Sequence, residues 1–248
     1  MQAILTDRRA ANYIHRETEL QKESVTHNEI RPQIFIKDPG SAITHFIGVI
    51  YSVAMAPFLL AHALEKGANG MQFFSFLVFS VSMFLLYAAS TTYHTLNLDV
   101  TTNKKLKRMD HMMIFVLIAG SYTPICTTVL WNGIGRLLLL LVWGMAIAGM
   151  IVKYFWINCP KWFSSVIYIG MGWLCIVALP QILKGMTLPG FLWLLAGGLF
   201  YTFGGVLYAL KLKALNERFP NFGSHEIFHL FVMAGNLCHF YAIYTYLL

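Results

Sequence analysis

Phe73-Phe74-Ser75-Phe76-Leu77-Val78-Phe79 and Leu137-Leu138-Leu139-Leu140-Leu141 decide how this chain folds. A strand of a membrane β-barrel alternates apolar and polar residues, and neither stretch alternates. Each lies within a longer uncharged run, so the reading is a helix that is apolar on every face. A helix of that kind belongs in hydrocarbon or in a deep core.

Composition excludes the deep core. Of 248 residues, 57% are hydrophobic and only 12% charged, with a mean hydropathy of +0.60. A soluble chain carries roughly twice that charge. Seven runs are long enough to cross about 30 Å of hydrocarbon: Ser41–Ala63, Met71–Asn97, Met109–Trp131, Leu137–Val152, Trp162–Ile182, Leu188–Leu210 and His225–Leu248. The expected fold is all-α, an integral membrane bundle of seven transmembrane helices over residues 41–248. The fourth run is the shortest, lying between Arg136 and Lys153. At 1.5 Å per residue it falls short of the membrane, so those two cations are expected to snorkel outward.

Charge sets the orientation. Arg8, Arg9, Arg16, Lys22, Arg31 and Lys37 precede the first run. Lys104, Lys105, Lys107 and Arg108 join the second to the third. Lys153 and Lys161 join the fourth to the fifth, and Lys211, Lys213 and Arg218 join the sixth to the seventh. These fifteen of the eighteen cations fall on one side, leaving Lys66, Arg136 and Lys184 on the other. By the positive-inside rule the N-terminus is cytoplasmic and the C-terminus outside. The net charge of +7 is thus a topology signal, and no nucleic-acid partner is expected. Residues 1–40 are polar and mixed in charge, with no apolar signal core, and read as a cytoplasmic tail. Cys126, Cys159, Cys175 and Cys238 form no C-x-x-C pair and read as packing residues.

Ionisable residues at membrane depth are costly and are functional candidates by default. Here they are His45, His94, Asp110, His111, His225, Glu226, His229 and His239, with Asp99 at a helix end. In this topology His45, Ser90, His94, Asp110, His225 and His229 all fall on the cytoplasmic side. Ser90 and His94 are four residues apart and share a helix face, as do His225 and His229. Two imidazoles one turn apart can hold one metal ion, and a third from another helix leaves one tetrahedral position open. That is the layout of a catalytic zinc site. Imidazole suits zinc, copper, nickel or iron, and with no thiolate in the group zinc is the favoured ion. His239 reads as an interhelical hydrogen bonder, His111 as structural, and His62 as interfacial.

His225-Glu226-Ile227-Phe228-His229 also spells the H-E-x-x-H string of zinc metalloproteases, in which the glutamate activates water. A second reading fits a membrane helix better. Ser224 is the expected N-cap, which puts Glu226 in the first turn, where an acid favours the positive end of the helix dipole.

Ser90-Thr91-Thr92-Tyr93-His94, Leu106-Lys107-Arg108-Met109-Asp110-His111, Gly120-Ser121-Tyr122-Thr123-Pro124 and HEIFH together resemble the hemolysin III family. That family is related to the progestin and adipoQ receptors and, more widely, to alkaline ceramidases. The resemblance runs from Asp38 to the C-terminus. It implies a seven-helix bundle in the plasma membrane of a bacterium, with zinc held by His94, His225 and His229 near the cytoplasmic face. Ser90 and Asp110 would stand around the open coordination position as catalytic residues. The family often carries E-x2-N-x3-H before its first helix. Here Asp38 and Ser41 replace the Glu and Asn while His45 is kept, so the motif assigns Asp38 and Ser41 no role.

The leading functional expectation is a metal-dependent hydrolase of a lipid-like amide or ester, with membrane lipids and that substrate as partners. A cytolytic membrane protein and a seven-helix receptor with structural zinc are the alternatives. No polar stripe lines a pore, and the last helix lacks a lysine for a retinal Schiff base.

The orientation has a direct check. Reporter fusions at the N-terminus and in the Lys104–Arg108 segment should read cytoplasmic, and a C-terminal fusion external. A C-terminal fusion reading cytoplasmic would break the arrangement.

Overall fold

Hydrocarbon offers no water to pair with backbone N–H and C=O groups, so a membrane chain must satisfy them within each helix. The computed structural model describes residues 36–210, 212–219 and 222–248. Among these residues there are helices and no strands. Six of the seven spans are single helices, among them α1 (Pro39–Glu65), α2 (Gly70–Thr95), α3 (Val100–Thr128), α4 (Gly135–Phe155) and, after the fifth, α7 (Leu188–Leu210). The fifth span is composite, with α5 (Lys161–Gly172), a 3₁₀ segment (Trp173–Ala178) and α6 (Leu179–Gly185). The short α8 (Lys213–Arg218) leads into α9 (Ser224–Tyr246), the last span. Seven helices are long and apolar enough to cross a membrane. The expected tail falls, up to residue 35, outside the described residues, as do Arg8, Arg9, Arg16, Lys22, Arg31 and Lys211 of the charge pattern.

The bundle closes on itself. α1 packs on α2, α2 on α3, α3 on α4, α5 on α7, α7 on α9, and α9 back on α1. One apolar core, including Phe79, Met83, Tyr87 and Leu117, fills the space between α1, α2, α3 and α9. A second, including Phe115, Val142 and Met171, joins α3, α4 and α5. The outside is apolar as well: Ile43, Phe46, Ile50, Leu140 and Ile147 are all exposed. In water that belt would be an aggregation surface, whereas in a bilayer it is the lipid contact. Gly120 marks the closest approach of α2 and α3, since a Cβ there would fall 2.2 Å from Ser82 Oγ.

Three sequence expectations need correction. α3 begins at Val100, well before Met109, because Asp99 caps it by accepting from Thr101 N (2.9 Å) and Thr102 N (3.0 Å). Hydropathy locates the lipid contact, whereas the cap starts the helix. α4 has 21 residues and contains both Arg136 and Lys153. Arg136 rests over the Trp131 ring at 4.6 Å, but Lys153 does not snorkel: it is 3% exposed and bonded to Ser164 and Cys159. Finally, α9 is capped by Gly223, with Ser224 its first helical residue.

The 3₁₀ break in the fifth span frees backbone groups inside the membrane, and Tyr122 of α3 meets them. Its hydroxyl donates to Gly172 O (2.5 Å), lies 3.1 Å from Met171 O, and accepts from Cys175 N (3.0 Å). Tyr122→Phe keeps the ring and leaves those groups unpaired. It should lower stability by about 1–2 kcal/mol, read as a drop in the unfolding midpoint in detergent. An unchanged midpoint would show that the break is satisfied some other way.

Candidate metal centre

His94 and His225 come from α2 and α9, whose ends meet where α1 begins. The start of α1 is strapped to the end of α2 by backbone bonds from Asp38 N to His94 O (2.9 Å) and Lys37 N to Thr95 O (3.3 Å). Asp38 is the N-cap of α1 and precedes a proline, which holds it extended. Its side chain makes no capping bond. The carboxylate instead lies 2.9 Å from His94 Nδ1. Lys37 lies beside it, with Nζ over the Tyr93 ring at 3.2 Å and 4.0 Å from the Asp38 carboxylate. Burial lowers the Lys37 pKa, and the Asp38 charge opposes that.

One ring nitrogen from each of His94, His225 and His229 lies within 4.8 Å of the other two. The Nε2 atoms of His94 and His225 are 3.2 Å apart. The hydrogen bonds fix one of the three tautomers. A carboxylate only accepts, so His94 carries its proton on Nδ1 and presents a bare Nε2. Thr44 Oγ1 lies 3.0 Å from His229 Nδ1 and 3.0 Å from both Gly40 O and Ser41 O; when its one proton goes to a carbonyl, it accepts from His229 Nδ1 and leaves His229 Nε2 bare. His225 Nδ1 is buried without a partner among the described residues. His45 stacks on His229 at a ring separation of 3.5 Å, and its far side meets Tyr87 edge-on.

This geometry fits a cation. Imidazole nitrogens that converge in a buried site need a cation or a shared proton between them, and the Nε2 atoms of His94 and His225 are close enough for either. Tetrahedral Zn–N bonds of about 2.0–2.1 Å place the nitrogens about 3.4 Å apart, close to the 3.2 Å between the Nε2 atoms of His94 and His225. Asp38 and Thr44 act on the far nitrogens of His94 and His229, the usual way a protein orients metal-binding imidazoles.

The other expected residues are placed as follows. Asp110, 6% exposed, lines a cavity of about 430 Å³ together with His225 and His229, and its Oδ2 lies 3.4 Å from His111 Nδ1. Ser90 is fully buried one turn before His94, and its Oγ has no hydrogen-bond partner among the described residues. Glu226 does not join the three histidines. Its Oε2 accepts from Gly223 N at 2.8 Å and its Oε1 from Ser41 Oγ. This is the acidic half of a capping box, and Gly223, lacking a side chain, cannot supply the other half. Asn216 completes the cap by accepting from Ser224 N (2.7 Å). His239 bonds Leu194 O at 3.2 Å, as an interhelical hydrogen bonder should. His62 stacks on Tyr244 at 4.2 Å. His111, read as structural, lies on the cavity wall, with its Nε2 3.4 Å from Tyr208 Oη.

Sequence reasoning missed Asp38, Ser41 and Thr44. They stand in the segment that departs from the family motif, yet Asp38 and Thr44 bond two of the three histidines, and Ser41 bonds Glu226. The available signal was register: positions 38, 41 and 45 keep the motif spacing, and Asp and Ser keep its hydrogen-bonding chemistry.

Elemental analysis of detergent-purified protein should find about one transition-metal ion per chain, and His94→Ala, His225→Ala and His229→Ala should each remove most of it. Asp38→Ala should weaken metal affinity about 10–100-fold without abolishing it. Protein that binds no metal and whose stability ignores chelators would leave only an interhelical polar cluster.

The family model described as "Haemolysin-III related" matches residues 34–240. The chain is 37% identical over 225 residues to "Hemolysin-3" of Bacillus cereus, covering 90% of this chain and 98% of that one. It is 35% identical over 207 residues to the "Hemolysin-3 homolog" of Bacillus subtilis (strain 168), covering 84% and 92%. More distant is "Progestin and adipoQ receptor-like protein 1" of Caenorhabditis elegans, 27% identical over 235 residues, covering 83% of this chain and 51% of the relative. With its seven apolar helices and a histidine group able to hold a metal ion, the chain belongs to the haemolysin-III-related family of multi-pass membrane proteins, as a protein of the bacterial cell membrane.

Proposed function

We propose that the protein is a zinc-dependent hydrolase of a lipid-like amide or ester. The observation that carries this reading is the placement of the histidines at the polar end of an apolar cavity. Asp110, His225 and His229 line one end, and Leu130, Leu138 and Ile182 the other. From Asp110 to the end of α3 at Thr128 the chain rises about 27 Å at 1.5 Å per residue, close to the depth of the hydrocarbon. A long acyl chain matches such a space, and its carbonyl would then stand at the histidines.

A zinc ion bound there would supply Lewis acidity, polarising a carbonyl and acidifying water. The protein's own groups do the rest. Asp110 faces the same space from α3 and is the base that accepts the proton. The Ser90 hydroxyl, free of other bonds, donates to the oxygen on which negative charge develops. Asp38 and Thr44 hold two imidazoles in register. Tyr208 and His111 form a polar wall beside Asp110, suited to a hydroxyl or amide of the leaving group. Glu226 already accepts from Gly223 and Ser41, so it caps a helix and is not the base.

A second reading, a cytolytic protein or a receptor whose zinc is structural, draws on the names of the relatives. The two readings separate on chemistry: purified protein incubated with lipid amides and esters should release fatty acid, and a chelator should stop it. Within that assay, Asp110→Asn should reduce turnover about 10²–10⁴-fold, the usual contribution of a general base. Glu226→Gln should stay near the parent rate at equal metal occupancy. A dead Glu226→Gln beside an active Asp110→Asn would restore the protease-like reading of HEIFH, and no release from any substrate would favour the receptor or the cytolysin.

A further inference from the structure

A second cluster of reactive side chains lies apart from the histidines, where α4 turns into α5. Lys153 stands in the last turn of α4, and the connection Trp156–Pro160 doubles back over it. Lys153 Nζ lies 3.1 Å from Cys159 Sγ and 2.5 Å from Ser164 Oγ in the first turn of α5, and Sγ and Oγ are 3.3 Å apart. Lys153 and Ser164 are 3% and 2% exposed, and Cys159 is 9% exposed. Among the described residues no carboxylate comes within ion-pair distance of Lys153. A buried lysine without a carboxylate partner is costly at the edge of a membrane. Its nearest reactive neighbour is a thiol.

We propose that Lys153 and Cys159 form a peroxide-responsive modification site, at which oxidation joins Sγ to Nζ in a sulfenamide between α4 and the turn leading into α5. Trp156, Asn158 and Pro160 around Cys159 are exposed, so an oxidant as small as hydrogen peroxide has a short route to the sulfur. In the first step the Sγ attacks one peroxide oxygen, the O–O bond breaks, and the products are a sulfenic acid and water. The thiol proton goes to the displaced hydroxide, which leaves as that water.

A sulfenic acid next condenses with the nucleophile it can reach, either a thiol or a nitrogen. Here the nitrogen is in place. Cys126, Cys175 and Cys238 are all free, and none bonds Cys159. The Nζ lone pair attacks sulfur, the S–O bond breaks, and a second water leaves with the displaced oxygen and one amine proton. The sulfur has then lost two electrons, and the peroxide has been reduced to water. Two equivalents of thiol reverse the bond, restoring Cys159 and Lys153 and leaving a disulfide of the reductant. Ser164 is a positioning residue that holds Nζ against the sulfur.

The test is peptide mapping of full-length detergent-purified protein after a brief titration with hydrogen peroxide and alkylation of free thiols. The expected product is lighter than the parent by about 2 Da, resists alkylation at Cys159, and links Lys153 to Cys159 in one peptide that trypsin does not cut after Lys153. Dithiothreitol should restore both residues. Lys153→Met should abolish the link and let Cys159 gain oxygen instead, and Ser164→Ala should lower its yield. Three results would each overturn the proposal: Cys159 of the parent protein stays alkylatable, it accumulates sulfinic or sulfonic acid without the lighter product, or it links to any residue but Lys153. The parent protein alone suffices for the decision, even if Lys153→Met fails to fold.

Discussion

The hydrogen bond from His94 Nδ1 to the Asp38 carboxylate, at 2.9 Å, sets the chemistry of this molecule. It turns an N-cap away from its own helix, ties the first span to the second, and leaves His94 with a bare nitrogen at Nε2. Thr44, further along α1, contacts His229 Nδ1 at 3.0 Å. The bare nitrogen of His94 is thereby directed at a point that two further imidazoles reach. A cation, or a proton shared between the rings, completes such an arrangement, and the three nitrogens are placed to hold a metal ion. α1 adds no histidine of its own to the group of three, yet it orients two of its members and stacks His45 against one of them.

Much of the fold was legible because the bilayer makes sequence literal. Uncharged runs such as the leucines at 137–141 must be helical, with Leu137, Leu140 and Leu141 exposed to lipid, and the basic connections gather at the histidine end. Legibility failed where helices leave hydrocarbon. α3 extends through the polar stretch Val100–Arg108 because Asp99 caps it, which hydropathy cannot register. Lys153 was expected to reach outward, but Ser164 and Cys159 meet it inside. The composite fifth span read as one helix, since nothing in its composition announces that Tyr122, on another span, stands ready to satisfy a break.

The metal group was legible from the i, i+4 pairs and from topology, which brought distant segments to one end. Its supporting residues were not, because hydrogen-bond geometry between α1, α2 and α9 exists only once they pack. Glu226 illustrates the limit of a motif. The letters match a protease string, but the carboxylate is already occupied by Gly223 N and Ser41 Oγ. One residue along a helix means a rotation of about 100°, enough to turn a side chain from the metal group to the neighbouring helix. The cavity carries the functional reading further than any motif does, because its largely apolar wall with the histidine group at one end suits an amphipathic lipid.

The claim at the centre of this account is a metal held by imidazoles alone, and X-ray absorption at the zinc edge of the purified protein tests it most directly. The predicted spectrum shows three imidazole nitrogens at about 2.0–2.1 Å and one further light ligand. A sulfur shell near 2.3 Å, a fourth imidazole in place of the light ligand, or protein free of metal after purification without chelator would contradict it.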